Sequence, residues 1–137
     1  MKESKKIFYL DLDNENLYLF KYVVESLGHK FFMFRDGYKM IYDLSETKTL
    51  PDFIFMGTHM PIINGVELID LLKEKEAWKN IPIIMISGAF PKKMLHNYLA
   101  QGVNQIMKRP LAKNYRLALE KVINLEFTKK NRLSLSV

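Results

Sequence analysis

Short apolar runs alternate along the chain with longer stretches in which apolar positions recur every three or four residues. Ile7-Phe8-Tyr9-Leu10 opens the pattern, and Asn14 to Leu27 follows with Leu17, Phe20, Val24 and Leu27 at helical spacing. Gly28 then supplies a helix stop. The second unit pairs Phe31-Phe32-Met33-Phe34 with a helix over Tyr38 to Leu44, and the third pairs Phe53-Ile54-Phe55-Met56 with Val66 to Lys73. Ile83-Ile84-Met85-Ile86 and a helix from about Pro91 to Gln101, closed by Gly102, form the fourth unit; Val103 to Met107 and a helix from about Lys113 to Phe127 form the fifth. Strands apolar on both faces belong in a parallel sheet covered by helices on each side. The pattern therefore predicts an α/β fold, a doubly wound (βα)5 three-layer sandwich around a central five-stranded parallel sheet. In such folds the site lies outside the carboxyl ends of the strands, near the point where strand order reverses. The residues in that position are Asp11, Leu12 and Asp13, Gly57 to His59, Ser87, and Lys108, Arg109 and Pro110.

Composition narrows the chemistry. The 137 residues suit one domain with a substantial core, and no apolar run approaches the roughly 20 residues of a membrane span. Met1-Lys2-Glu3-Ser4-Lys5-Lys6 is charged and lacks a cleavage-site pattern, so the expected location is the cytoplasm, with no membrane association. The absence of cysteine excludes disulfides, thiolate catalysis and cysteine-ligated metals. The three histidines, at 29, 59 and 96, include no pair at the spacing of a helical metal site. Lys129, Lys130 and Arg132 contribute half of the net charge of +6 and read as a solvated tail. Residues 127–137 carry no nucleic-acid-binding motif, so no nucleic-acid partner is expected.

Four segments resemble the response-regulator receiver domain of two-component, phosphorelay signalling. KIFYLDLDNENLYLFKYVVESLG (6–28) is similar to the family's opening strand, acidic pair and first helix; DFIFMGTHMPIING (52–65) to its third strand and Met-Pro-x-x-Asn-Gly loop. IPIIMISGA (81–89) resembles the fourth strand with its hydroxyl residue, and GVNQIMKRPL (102–111) the fifth with its basic residue before proline. The resemblance implies a CheY-like, flavodoxin-like receiver domain over residues 5–127, a basic tail over 128–137 and no output domain.

It also implies a site that departs from the family pattern. Receivers use a carboxylate nucleophile, Mg held by acidic side chains, a hydroxyl and a lysine on the phosphoryl group, and a reporting aromatic. At the matching positions stand Gly57 for the phosphoacceptor, Asp11 and Leu12 for the acidic pair, Ser87 for the hydroxyl, Ile106 for the aromatic and Arg109, beside Lys108, for the lysine. Glycine offers no nucleophile. Mg takes oxygen ligands, and Asp11 alone is a weak candidate, so binding is expected to be weak or lost and no cofactor is expected. Asp13 either leans toward the site or caps the helix beginning at Asn14. Ser87 either keeps its family role or satisfies backbone groups. Asp52 begins the third strand, roughly 16 Å from Gly57, too far to substitute. Thr58 and His59 are nearer but have no flanking base.

Leu12 is expected to fill the space left by Gly57 and close the pocket. Arg109 either bridges to Asp11 or points to solvent. The family's docking face implies a partner surface of Met94, Tyr98, Ile106, Lys108 and Tyr115, set among Lys92, Lys93 and Lys113, with Met94 and Tyr98 alternatively belonging to the core stripe of their helix. The expected partner is another signalling protein, a histidine kinase or downstream regulator, or a second copy in a dimer. The expected function is a non-catalytic pseudo-receiver, not an enzyme. Two alternatives are a receiver phosphorylated at a non-standard residue and a haloacid-dehalogenase-like phosphatase using Asp11 and Asp13. A flavodoxin-like cofactor carrier would need a phosphate-cradling loop where this chain is acidic.

Overall fold

A computed structural model describes residues 4–57, 65–88 and 92–125, leaving the side chains of Ser87 and residues 92–95 outside the description. Among the described residues, five strands and five helices alternate: β1 (Lys6–Leu10), α1 (Asn14–Ser26), β2 (Lys30–Phe34), α2 (Gly37–Glu46), β3 (Phe53–Met56), α3 (Gly65–Glu74), β4 (Ile83–Ser87), α4 (Lys92–Gln101), β5 (Gln105–Lys108) and α5 (Tyr115–Ile123), the last preceded by a 3-10 turn at Ala112–Asn114. All strands are parallel, in the order β2-β1-β3-β4-β5. Chain order reverses between β1 and β3, placing the loops that begin at Asp11 and Gly57 side by side.

Strand alternation divides the core into two layers. Phe8, Leu10, Ile54, Met56, Ile83, Met85 and Ile106 face Met40, Leu44, Leu68, Ile69, Leu72 and Tyr98. Ile7, Tyr9, Phe53, Phe55, Ile84, Ile86 and Met107 face Leu17, Phe20, Val24, Tyr115, Leu119 and Val122. Phe20 anchors the second layer, with ring centroids 4.3 Å from Tyr9, 4.9 Å from Phe55 and 5.6 Å from Phe31. Gly28 and Gly102, at φ 90° and 112°, end α1 and α4 in the left-handed conformation that a side chain disfavours.

Two elements, β5 and α5, differ from expectation at their ends through local hydrogen bonding. β5 begins at Gln105 because the Val103 N–H still bonds to the Tyr98 carbonyl at the end of α4, and Asn104 bonds through its backbone N–H and side chain to Ile83. α5 begins at Tyr115 and ends at Ile123, four residues before the expected Phe127, because Asn124 and Leu125 tighten its last turn and lie outside the core stripe. β2 is also less covered than an inner strand: it is an edge, with Phe32 and Met33 exposed.

Candidate functional site

The Gly57 N–H bonds to the Leu10 carbonyl at 2.8 Å, and the Asp11 N–H to the Phe34 carbonyl at 3.0 Å, fixing both loop starts to the sheet. From this frame the Asp11 side chain folds inward, leaving only 6% of the residue exposed. Its Oδ2 accepts the Tyr9 hydroxyl at 2.7 Å and its Oδ1 accepts the Asp13 N–H at 3.2 Å. The carboxylate lies directly over Gly57: a Cβ there would stand 2.7 Å from Asp11 Cγ and 2.8 Å from each carboxylate oxygen. Tyr9 and Asp11 meet because residues two apart share a face of the strand.

The expected closure by Leu12 is corrected by this geometry. Leu12 is 40% exposed, and the space above Gly57 is filled by Asp11, whose carboxylate turns in to reach the only hydroxyl offered by β1. Of the two alternatives for Arg109, the bridge to Asp11 is absent among the described residues. Arg109 is exposed, with Nη1 leaning 3.7 Å from the position a Cβ would take on Gly88. Asp13 resolves as the helix cap, its Oδ1 accepting the N–H groups of Glu15 and Asn16 at 2.9 and 3.3 Å. Asp52 stays at the amino end of β3, where it accepts the Lys6 N–H at 2.8 Å.

Two phenols behind Asp11 complete the interior of the site. Burial raises the Tyr9 pKa far above its usual value; the Asp11 carboxylate and Tyr115 add to the rise, and the Arg109 guanidinium opposes it. Burial likewise pushes Tyr115 from 10.0 up to about 12, against the pull of Arg109 and with a smaller push from Asp11. The Tyr115 hydroxyl is buried without a hydrogen-bond partner among the described residues. Sequence reasoning missed Tyr9; its placement two residues before Asp11 in an alternating strand was the available signal.

The expected partner surface is also corrected. Ile106 is 2% exposed in the layer facing α3 and α4; Tyr98 packs into the same layer and Tyr115 into the opposite one. Burial removes these three side chains from any docking face, while Lys108 remains exposed. The side chains of Met94 and Ser87, and Thr58 and His59 altogether, lie outside the described residues. The apolar surface beside Lys108 comes instead from a groove of about 690 Å³ between β5 and α5, lined by Met107, Pro110, Leu117, Val122 and Leu125, with Lys121 on its rim. Leu117 was missed because it lies off the core stripe of α5, yet it is 59% exposed beside that groove.

The strand order and the loop pair at its reversal point define a CheY-like doubly wound domain. Among solved structures, the chain is similar to the phosphorylated cyanobacterial phytochrome response regulator RcpA, with TM-score 0.78, 18% identity and coverage of 88% of this chain and 91% of that one. It is similar also to the chemotaxis response regulator CheY4 of Vibrio cholerae, with TM-score 0.76, 16% identity and coverage of 88% and 99%. The polar-differentiation response regulator DivK of Brucella ovis is 33% identical over 91 residues, covering 66% of this chain and 72% of the relative. The two-component response regulator-like APRR9 of Arabidopsis thaliana is 27% identical over 113 residues, or 82% of this chain; the matched region spans 24% of that relative. The family model described as the response regulator receiver domain matches residues 7–119. The chain belongs to that family and is a receiver domain of two-component signalling.

Proposed function

We propose that this receiver is a non-catalytic pseudo-receiver that signals by binding another protein, a histidine kinase or downstream regulator or a second copy of itself, with Gly57 in place of the phosphoacceptor. The observation that carries the proposal is the Asp11 carboxylate lying over Gly57. The position has no nucleophile, and the volume that an acceptor side chain needs is already taken. The same arrangement disfavours Mg. Both Asp11 oxygens accept protein hydrogen bonds, Asp13 is committed to the α1 cap, and Leu12 supplies no oxygen from its side chain. Near-octahedral oxygen coordination therefore has a single carboxylate to start from. Weak or lost Mg binding belongs to this proposal, as does a cytoplasmic location; no helix among the described residues is long and apolar enough to cross a membrane.

Incubation with acetyl phosphate and Mg tests the proposal by intact-mass analysis. The native chain is expected to remain unmodified. Gly57→Asp alone is expected to remain largely unlabelled, because the new carboxylate meets that of Asp11 and Leu12 still withholds a metal ligand. Leu12→Asp, Gly57→Asp and Arg109→Lys combined should recover Mg-dependent labelling. Acid-labile phosphate on most native molecules would overturn the proposal.

A further inference from the structure

We propose that the free edge of β2 accepts an extended segment of a partner protein, apolar in its middle and acidic at its flanks, as a sixth strand of the sheet. The inference concerns the outer edge of the sheet, two strands across from Gly57, and holds whether or not this receiver is phosphorylated.

The edge is chemically open. Lys30 N–H bonds to the Lys5 carbonyl and the Phe34 carbonyl accepts from Asp11 N–H, so Lys30, Phe32 and Phe34 direct their backbone groups toward β1. In a parallel sheet alternate residues point the opposite way, which leaves the N–H and C=O groups of Phe31 and Met33 directed outward from the edge. No described strand lies on that side. Edge strands are ordinarily blunted by charge, proline or a bulge. β2 pairs with β1 through five consecutive residues without a bulge, and its sequence KFFMF carries a charge only at Lys30. Phe32 and Met33 are 42% and 38% exposed, on opposite faces of the strand. β5, the other edge, is by contrast buried over Gln105, Ile106 and Met107 and ends in exposed Lys108.

Charge selects the occupant. A groove of about 460 Å³ along this edge is lined by Phe31, Phe32 and Met33 with Lys21, Arg35 and Lys39 among its charges. Its two acids are engaged: Asp43 pairs with Lys39 at 3.1 Å, and Asp36 caps α2 by accepting the Tyr38 N–H at 2.9 Å. Lys21, Lys30 and Arg35 form no ion pair among the described residues. Lys6, whose Nζ lies 5.4 Å from the centroid of the Phe32 ring, is committed to the Thr47 hydroxyl and the Thr49 carbonyl and does not join these cations. A second copy is disfavoured by this distribution. Antiparallel pairing of Phe31 with the copy's Met33 sets Lys30 opposite the copy's Phe34 and Arg35 opposite its His29, so two edges carrying the same cations meet without any acidic partner for either. An acidic-flanked strand meets the same cations with attraction, through the strand-addition mode by which backbone bonds supply affinity and flanking side chains supply selection.

The probes are a fluorescein-labelled peptide Glu-Glu-Val-Thr-Val-Thr-Val-Glu-Glu and its counterpart with Lys at the flanks. Fluorescence anisotropy at ~0.1 M salt should show the acidic peptide binding at least about tenfold more tightly, with the gap narrowing as salt rises. Amide exchange at Phe31 and Met33 should slow when it binds. Met33→Pro removes an outward N–H that the sheet does not use and should abolish binding while preserving the fold. Lys21→Glu with Arg35→Glu leaves the strand unaltered and should reverse the preference, so the proposal remains testable if the proline variant fails to fold. It is overturned by equal binding of the two peptides, by absence of acidic-peptide binding to folded protein, by exchange protection that bypasses Phe31 and Met33, or by self-association through this edge.

Discussion

Gly57→Ala isolates the contact between Asp11 and Gly57. Gly57 does not have a positive φ, so its backbone accepts alanine, and loss of unfolded-state freedom alone would stabilise the variant by about 0.4–1 kcal/mol. Contact geometry opposes that gain. The new methyl would stand 2.7–2.8 Å from three atoms of the Asp11 carboxylate, closer than packed atoms approach, so the carboxylate must move. Moving it strains or breaks its bonds from the Tyr9 hydroxyl and the Asp13 N–H, and the phenol of a fully buried residue loses its partner. A bond to a charged group contributes about 1.5–3 kcal/mol, so a net loss of about 1–2 kcal/mol is expected.

The decisive measurement is a double-mutant cycle by urea denaturation. Asp11→Ala is itself destabilising by about 1–3 kcal/mol because it also strands Tyr9. In that background the obstacle is gone, and Gly57→Ala should be neutral or slightly stabilising. The expected coupling is about 2 kcal/mol, well beyond the ~0.5 kcal/mol within which independent sites add. Additivity of the two changes, or stabilisation by Gly57→Ala in the native background, would show that the carboxylate does not depend on the glycine and would refute the reasoning.

Further outcomes follow from the phenols and the corrected surface. Tyr9→Phe should destabilise by about 1–2 kcal/mol through loss of the bond to Asp11, whereas Tyr115→Phe, which removes a buried hydroxyl without a partner, should be neutral or stabilising by up to about 1 kcal/mol. Both phenols have raised pKa values, so the folded state retains protons that the unfolded state releases; stability is fully present below pH 10 and declines as pH climbs toward about 12. Each substitution to Phe should lower that alkaline slope by up to ~1.4 kcal/mol per pH unit in a denaturation series, and an unchanged slope in both variants would contradict the burial argument. Ile106→Ala should cost about 2–5 kcal/mol as a core truncation, while Leu117→Ala should change stability by less than about 0.5 kcal/mol; similar losses for the two would contradict the division between core and groove.

The sheet was legible because each strand is a compact apolar run between turn residues, and the helix caps were legible where chemistry is local, as at Asp13 and Gly28. Edge status was not. Phe31-Phe32-Met33-Phe34 has the same apolar character as the buried third strand, and nothing within it records that chain order leaves one side open. Burial direction was equally hidden for Ile106, because a strand covered on both faces gives the same pattern whichever layer a residue enters. Within the site, residue types identified Asp11 and Gly57 as positions of interest but left the side-chain rotamer open. Leu12 was the nearest large neighbour in sequence, yet the void was claimed by the group with a hydrogen-bond donor waiting on the same strand face, Tyr9.

That outcome explains why the altered residues function as one arrangement. A carboxylate at the end of β1 that is shielded from solvent must obtain compensation from a metal, a cation or hydrogen-bond donors. Asp11 obtains it from the Tyr9 hydroxyl and the Asp13 N–H, and it reaches this position only over a residue without a Cβ. Tyr9 supplies the donor, Gly57 the volume, and Leu12, turned partly to solvent, brings no second negative charge. Placing an acidic side chain at 57 by itself therefore displaces an existing set of bonds. Under the proposed function, phosphotransfer requires Asp11 to be displaced from Tyr9 and a second carboxylate to be present together, which the combined variant at 12, 57 and 109 supplies, whereas Gly57→Asp alone is expected to lower stability without conferring that chemistry.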